Sequence, residues 1–465
     1  MGKMYNKSQM EDMLRERGIE NPETFCLAPY MNADLDQSGA VYTCYRGKTR
    51  LGDWKDSAFS GVFNSKIMKQ IRSDLSKGIK HKNCQSCYLA EENGSYSPRI
   101  NFFNRVMIPD FHQDNAAFYK RAEDLIQNIK HNPEEGSIGD ITRAEMRPSS
   151  LCNQRCMHCS PESSTKWVET MSKQENWDQV VNEIEVHTPP NHQRAVLGLI
   201  SESGRDITAK QIPKFYRKSL TGETPYKQDV LDVMESSEEV SFTGGEPLIA
   251  PDHLDYLKFM CKKNADQKLL SYSTNLNGKD IEQYFPYWKQ FHQITFRISI
   301  DSDFNGYEYF RTYGNTQLLM DNLKKLIAFG KEHGNVDISG TVTFNMFAAL
   351  RWQSILQDWA YFGLDFHTSL VLQHPVSVKW LPKTLSEKAL QEMQHCIDNI
   401  QIFGINEDYH ERVIHFTEDC MNYIKGFNNQ FDKMPERTKQ YILFADRTSG
   451  NDYKDYYPEL IPYMN

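Results

Sequence analysis

No stretch of this sequence carries the roughly 18 consecutive apolar residues that a membrane-spanning helix needs. The segment Met1 to Met10 is polar and lacks the apolar centre of a secretory signal. Asn6 stands where a myristoylation signal wants Ser or Thr. These absences predict a cytoplasmic protein with no membrane partner. A surplus of positive charge is missing too: 53 Lys and Arg face 62 Asp and Glu, for a net charge of −9. Sequence-blind nucleic-acid binding displaces counterions with many cations, so a nucleic-acid partner is disfavoured. No internal repeat or low-complexity tract occurs. With 39% apolar and 25% charged residues over 465 positions, the balance excludes a wholly disordered chain. The length suits about three domains, or one large domain with appendages.

What the sequence does have is cysteine, ten of them. Structural disulfides are rare in the cytoplasm, so metal binding is the first explanation to consider. Cys261, Cys396 and Cys420 sit among apolar residues at helical spacing and read as small core hydrophobes. The other seven precede residue 160 and divide into a set of three and a set of four.

The set of three is Cys152-Asn-Gln-Arg-Cys156-Met-His-Cys159, which follows a strand-like stretch, Ile141 to Arg147. Three thiolates on one short loop can hold three irons of a cubane cluster and leave the fourth iron open. The bland alternative is structural zinc with His158 as fourth ligand, which crowds four donors into eight residues. The pattern C-x3-C-x2-C after a strand resembles the signature loop of radical S-adenosylmethionine (SAM) enzymes. In that family an aromatic residue precedes the third cysteine and packs near the adenine; His158 occupies that place. Downstream, Glu239 to Phe242 is a short strand signal followed by Thr243-Gly244-Gly245-Glu246-Pro247. This is similar to the family's GGEP motif, which meets the methionine amino group. Glycines let backbone approach a ligand, a carboxylate can accept from an ammonium, and proline stiffens the exit.

Strand and helix signals alternate over residues 140–403, which argues for a parallel α/β sheet. Strands are expected at 141–147, 239–243, 268–274, 293–301, 337–345 and 368–374. Asp252 opens one expected helix. Asn315 caps another, ended by Gly330, and a third ends at Gly363. The resemblance implies a partial (β/α)6 radical SAM barrel with ligands at the carboxyl ends of the strands. Residues at those ends are Ser273, Thr274 and Asn275, then Ser299 and Asp301, Asn345, and Gln373 with His374. Ordinary capping is the alternative for all of them. By resemblance, Ser273, Ser299 and Asn345 are assigned to the SAM ribose and carboxylate. Arg311 is a candidate fork to that carboxylate, with a surface salt bridge as its other reading.

The set of four is Cys26 and Cys44, bracketing Gly39, with Cys84-Gln-Ser-Cys87. Asp34 to Gly39 and then Val41 and Tyr42 read as a hairpin that brings Cys26 and Cys44 together. The four thiolates suit zinc or a second cubane cluster. The spacing C-x12-G-x4-C…C-x2-C resembles the SPASM/twitch module, which carries an auxiliary 4Fe-4S cluster. That module usually follows the barrel; here it precedes it. The expected organisation is a twitch-like iron–sulfur module at 1–135, a barrel at 136–383 with an insertion at 160–238, and a helical C-terminal extension at 384–465. Lys166 and Trp167, at the start of the insertion, are placed to reach the site. Basic residues from Lys66 to Lys82 read as a solvated helix face or a partner contact.

The resemblance implies the chemistry. SAM chelates the open iron, reduction by a donor such as flavodoxin or ferredoxin cleaves it, and the resulting 5′-deoxyadenosyl radical removes hydrogen from a substrate C–H bond. A second, fully ligated cluster favours a net oxidation. A peptide or protein substrate is preferred. The alternative within the superfamily is an alcohol, sugar or nucleotide dehydrogenase. A non-catalytic zinc or iron–sulfur protein is the alternative from another class.

Overall fold

The computed structural model describes residues 5–36, 39–44, 47, 49–54, 57–92, 96–108, 116–137, 139, 141–160, 163–173, 227–371, 374–427 and 431–464. Most of the expected insertion, and Gln373, lie outside the described residues.

Six parallel strands form the barrel wall: β4 (Arg143–Arg147), β6 (Glu239–Phe242), β7 (Leu269–Thr274), β8 (Gln293–Ser299), β10 (Val336–Phe344) and β11 (Asp365–Leu370). They occur in chain order across the sheet, so this is an open (β/α)6 barrel. The wall does not stop at β4. Strand β1 (Asn32–Asp36) pairs with it in parallel, from Asn32 opposite Arg143 to Asp36 opposite Arg147. Then β2 (Ala40–Tyr42) and β3 (Gly52–Asp53) add on in antiparallel fashion. The β1–β2 hairpin expected around Gly39 is present, with Gly39 at φ 98°, a left-handed turn position that glycine tolerates.

Alternation along the strands sorts the two faces. Phe242, Tyr272, Phe296 and Phe344 point outward into a buried aromatic layer under the helices. Ser241, Ser271, Thr295, Asp337 and their neighbours along the strands point inward, and the barrel lumen is polar. Helices at Trp352–Phe362 and Lys383–Asp398 cover the outside; His410–Gly426 packs on β11. The C-terminal residues Val413, Tyr441, Tyr457 and Leu460 share one continuous core with the barrel. A second core joins Met10, Leu14, Tyr30, Phe103 and Ile126.

Two sequence expectations shift. The helix capped by Asn315, whose side chain accepts from the Leu318 amide at 2.8 Å, runs from Thr316 past Gly330 to His333 and ends at Gly334, φ 71°. Gly330 serves packing instead: a side chain there would press on Val336 Cβ at 3.2 Å. The last strand lies at Asp365–Leu370, three residues earlier than expected at its start. The apolar run Leu370-Val371-Leu372 suggested a strand, but Gly363 already ends the preceding helix and the chain extends directly from it. His374 therefore ends no strand. It sits in a turn, where its ring nitrogen accepts from the Val376 amide at 3.3 Å.

Candidate iron–sulfur and cofactor site

The three-cysteine loop closes the carboxyl end of the barrel. Its strand β5 (Arg155–Cys156) pairs with β9 (Arg311–Thr312), and the Met157 amide donates to Phe310 O at 2.9 Å. Trp167 donates to Cys156 O at 3.0 Å, so its part here is to brace the loop from behind. Tyr441, from the helix Glu436–Ser449, donates to Met157 O, and Arg155 reaches Ala445 O at 3.2 Å on the same helix. The C-terminal helices thus clasp the loop. Lys166 pairs with Glu169 and lies over the Tyr313 ring.

Burial pushes the Cys152 thiol well up, with Cys156 adding to it. Burial takes Cys156 to about 11 against the pull of Arg311, and burial with Cys156 takes Cys159 to about 12. Polar hydrogens already face the sulfur of Cys152: the Gln154 amide at 3.5 Å and Asn275 Nδ2 at 3.9 Å. Arg311, the nearby cation, is matched by Asp301. Three thiolates in this setting need positive charge from a bound group, which is what iron supplies.

Asp301 is the hub that sequence reading passed over as a strand end. It is fully buried and sits at φ 60°, a strained position for a non-glycine residue. One carboxylate oxygen pairs with Arg311 and the other accepts from the Thr343 amide at 2.7 Å. Burial opposes its charge, yet Arg311, His158 and Thr343 outweigh burial and hold its carboxyl below the usual range. His158 Nδ1 lies 3.5 Å from Asp301, and its ring stacks on Phe310 at 5.4 Å. Burial lowers the His158 pKa, against the pull of Asp301.

The GGEP segment packs directly against the cysteine loop. A Cβ on Gly245 would sit 2.4 Å from Leu151 O; one on Gly244 (φ 106°) would sit 3.1 Å from Arg147 Cβ. What approaches these glycines closely is the cysteine loop itself. The Gly245 amide donates to Ser149 O at 3.0 Å and the Glu246 amide to Leu151 O at 2.8 Å. The Glu246 carboxylate turns inward. It accepts from Thr274 Oγ1 at 2.6 Å, the Asn275 amide at 2.7 Å and the Leu248 amide at 3.1 Å. Burial raises its pKa and these bonds lower it. Glu246 is therefore a pin between two strand ends, and Pro247 starts the short 3-10 turn after it.

Asn345 is likewise bonded within the protein. Its side-chain oxygen caps the Phe347 and Ala348 amides at 2.9 and 3.1 Å, and its NH2 donates to Asp301 O and Thr343 O. No hydrogen-bonding capacity of its amide is directed at a ligand. Arg311 is 5% exposed, so it is no surface salt bridge; besides Asp301 it donates to Gln154 Oε1 and Ile300 O at 3.3 Å each. Ser273 and Ser299 are half-buried on the inner face of β7 and β8.

The set of four gathers at the opposite end. Burial and the charges of Cys84, Cys87 and Cys44 push the Cys26 thiol well up; burial with Cys44 and Cys87 does the same to Cys84. Asn83 donates to the Thr43 hydroxyl at 2.9 Å and accepts from the Thr49 amide at 2.9 Å, tying the C-x2-C turn to the hairpin. Arg99 forks onto Glu91 at 3.0 and 2.5 Å and donates to Pro22 O and Phe25 O, which locks the approach to Cys26 against the helix Gln85–Glu92. No spacing rule points to Arg99. Among the described residues no three His, Cys, Asp or Glu side chains are grouped as a single metal ion would hold them. In a cubane cluster each thiolate holds its own iron, which asks for a wider spread.

Because β1 runs parallel to β4, its start, next to the four thiols, lies at the amino end of the barrel. Four residues of strand, roughly 13 Å at about 3.3 Å each, separate that level from Arg147, below the three-cysteine loop.

Residues 26–88 match the family model SPASM, described as an iron–sulfur cluster-binding domain. The matched segment holds all four cysteines of the second set. It begins at Cys26 and ends one residue past Cys87. None of the curated proteins matches the chain. Among solved structures, hexahistidine-tagged anSMEcpe with bound AdoMet shares 13% identity over 57% of this chain and 62% of that one, with a TM-score of 0.31. Streptococcus suis SuiB bound to precursor peptide SuiA shares 11% identity over 67% and 60%, TM-score 0.31. The same protein bound to S-adenosylmethionine shares 12% over 78% and 67%, TM-score 0.30. The chain spans 62% of the length of the first of these. Among the described residues no helix is long and apolar enough to cross a membrane.

Proposed function

We propose that this protein is a radical SAM enzyme that oxidatively modifies a C–H bond of a peptide or protein. The observation that carries the reading is the placement of three thiols, Cys152 and Cys156 buried and Cys159 half-buried, on one loop at the carboxyl mouth of a six-stranded parallel barrel, with the four thiols of the SPASM match at the barrel's other end. When bound, a cluster on Cys152, Cys156 and Cys159 supplies reductive cleavage of SAM and, through it, hydrogen-atom abstraction from an unactivated carbon.

The chain's own residues do the rest. The pinned Gly244–Gly245 turn and the Asn153–Asn275 bond, 2.8 Å, hold the loop at the level of the strand ends. His158, stacked on Phe310, offers a flat face where an adenine can lie. Asp301 and Arg311 fix the loop from the β8 side. A two-electron oxidation must dispose of a second electron, and a cluster on Cys26, Cys44, Cys84 and Cys87 would receive it. The electron donor is a small redox protein of the flavodoxin or ferredoxin class.

The test is anaerobic reconstitution followed by reductant-dependent release of 5′-deoxyadenosine. About eight irons per chain are expected, one cubane per thiol set, and release should vanish in Cys156→Ala. Zinc without iron, or cleavage that survives the substitution, defeats the proposal.

A further inference from the structure

On the inner face of the barrel, Thr341 of β10 lies opposite Ser299 of β8 on one side and His367 of β11 on the other. Ser339 is two residues below Thr341 and on the same face. Neighbouring strands are about 4.8 Å apart, so the row spans about 10 Å from Ser299 to His367, with Thr341 at its middle. The hydroxyls of Ser339, 3% exposed, and Thr341 are buried and lack a hydrogen-bond partner among the described residues. Buried polar groups are rarely left in that state. His367 stands beside them, half-buried, with Phe416 at its edge, 5.5 Å away. Burial, with the guanidiniums of Arg297, Arg412 and Arg105, pushes its pKa down to about 3. It is a neutral imidazole that donates from one nitrogen and accepts at the other. The carboxylates around the row already answer cations. Asp365 pairs with Arg412, Glu239 with Arg105 at 3.0 Å, and Asp337 faces Arg297 and Arg412. Asp301, two residues above Ser299, pairs with Arg311.

We propose that Ser299, Ser339, Thr341 and His367 bind a neutral side-chain hydroxyl of the substrate and hold it beneath the cysteine loop. Each of the four both donates and accepts, which matches a group that does both. An ammonium only donates, and here it would meet three guanidiniums. Ser299 thereby moves from cofactor contact to substrate contact. The proposal deepens the function given above and rests on it.

The experiment uses the full-length, anaerobically reconstituted protein with SAM present, and reads ligand binding by saturation-transfer NMR without turnover. The probes are N-acetylserine methylamide and N-acetyllysine methylamide. The serine probe should bind saturably and the lysine probe about tenfold more weakly. Thr341→Val, which keeps the shape, should weaken the serine probe about fivefold to tenfold. His367→Phe should do the same, while His367→Gln, which keeps a donor and an acceptor, should retain most of the affinity. Equal binding of the two probes, binding unchanged in Thr341→Val and His367→Phe, or no saturable binding of the serine probe overturns the proposal. If 5′-deoxyadenosine release is intact when that happens, only this site falls. If release is absent, the function falls with it. Iron content and circular dichroism of each variant separate lost contacts from lost folding.

Discussion

Replacing Gly245 with alanine adds a methyl group where backbone already stands. The new Cβ would lie 2.4 Å from Leu151 O and 2.8 Å from Ser150 C. Non-bonded contacts relax at about 3.5 Å, so the cysteine loop must retreat by about 1 Å. That retreat carries the Gly245–Ser149 and Glu246–Leu151 bonds, 3.0 and 2.8 Å long, beyond hydrogen-bonding range. Two lost bonds at about 1 kcal/mol each and an overpacking cost of about 1–3 kcal/mol give roughly 3–5 kcal/mol. The damage falls on the residue next to Cys152. The assay is iron and acid-labile sulfide after anaerobic reconstitution, together with a calorimetric Tm. Iron should drop from about eight to about four per chain, because the SPASM thiols lie at the far end of the barrel, and Tm should fall. Gly278→Ala is the control: its added Cβ meets nothing nearer than 3.9 Å, and it should be tolerated. Full iron and an unchanged Tm in Gly245→Ala would refute the reasoning, and with it the idea that this glycine serves the loop.

Removing Cys84 and Cys87 together should leave SAM cleavage intact and stop product formation, seen by mass spectrometry of the substrate; persistent product formation would deny the SPASM site a redox role. Glu246→Ala should destabilise the protein by about 2–4 kcal/mol, since three buried donors lose their acceptor, and Glu246→Gln should recover part of that. If Glu246→Ala weakened SAM binding in calorimetry without moving Tm, the carboxylate would be meeting the ligand directly. His253 is fully buried, its Nε2 3.0 Å from the Tyr272 hydroxyl, and burial pushes its pKa down from 6.5 to about 3. Its contribution is complete above pH 6.5 and is lost as the pH falls toward 3, because the unfolded chain takes up a proton that the folded one refuses. The slope approaches about 1.4 kcal/mol per pH unit. His253→Phe should therefore flatten the decline of Tm between pH 6.5 and 4, and an unchanged profile would place the acid sensitivity elsewhere.

The strands were legible where period-two alternation is strong, as in Gln293–Ser299, and where a cap is unambiguous, as at Asn315. They were misplaced by three residues where an apolar run extends past the strand end, at Leu370–Val371. Both thiol sets stand out by spacing, and the structure brings each set together at one end of the barrel. What spacing does not encode is the direction in which a side chain turns. Glu246 and Asn345 carry suitable chemistry at suitable positions, and in this structure Glu246 accepts from the Thr274 hydroxyl and two amides while Asn345 bonds to backbone. Asp301 and Arg99 matter through partners distant in sequence, Thr343 and Pro22 among them, and no local pattern announces such contacts.

The parallel pairing of β1 with β4 has a consequence for biogenesis. About 110 residues separate the partners, Asn32 and Arg143. At about 5–20 residues per second, the ribosome exposes the hairpin for roughly 5–20 seconds before its neighbour has been made. During that interval one edge of β1 presents unpaired amides and carbonyls, an invitation to strand-to-strand association between nascent chains. Loading iron onto the first four cysteines while the edge is bare would shorten that exposure in effect, by ordering the hairpin early. Overproduction in iron-starved cells should accordingly favour inclusion bodies.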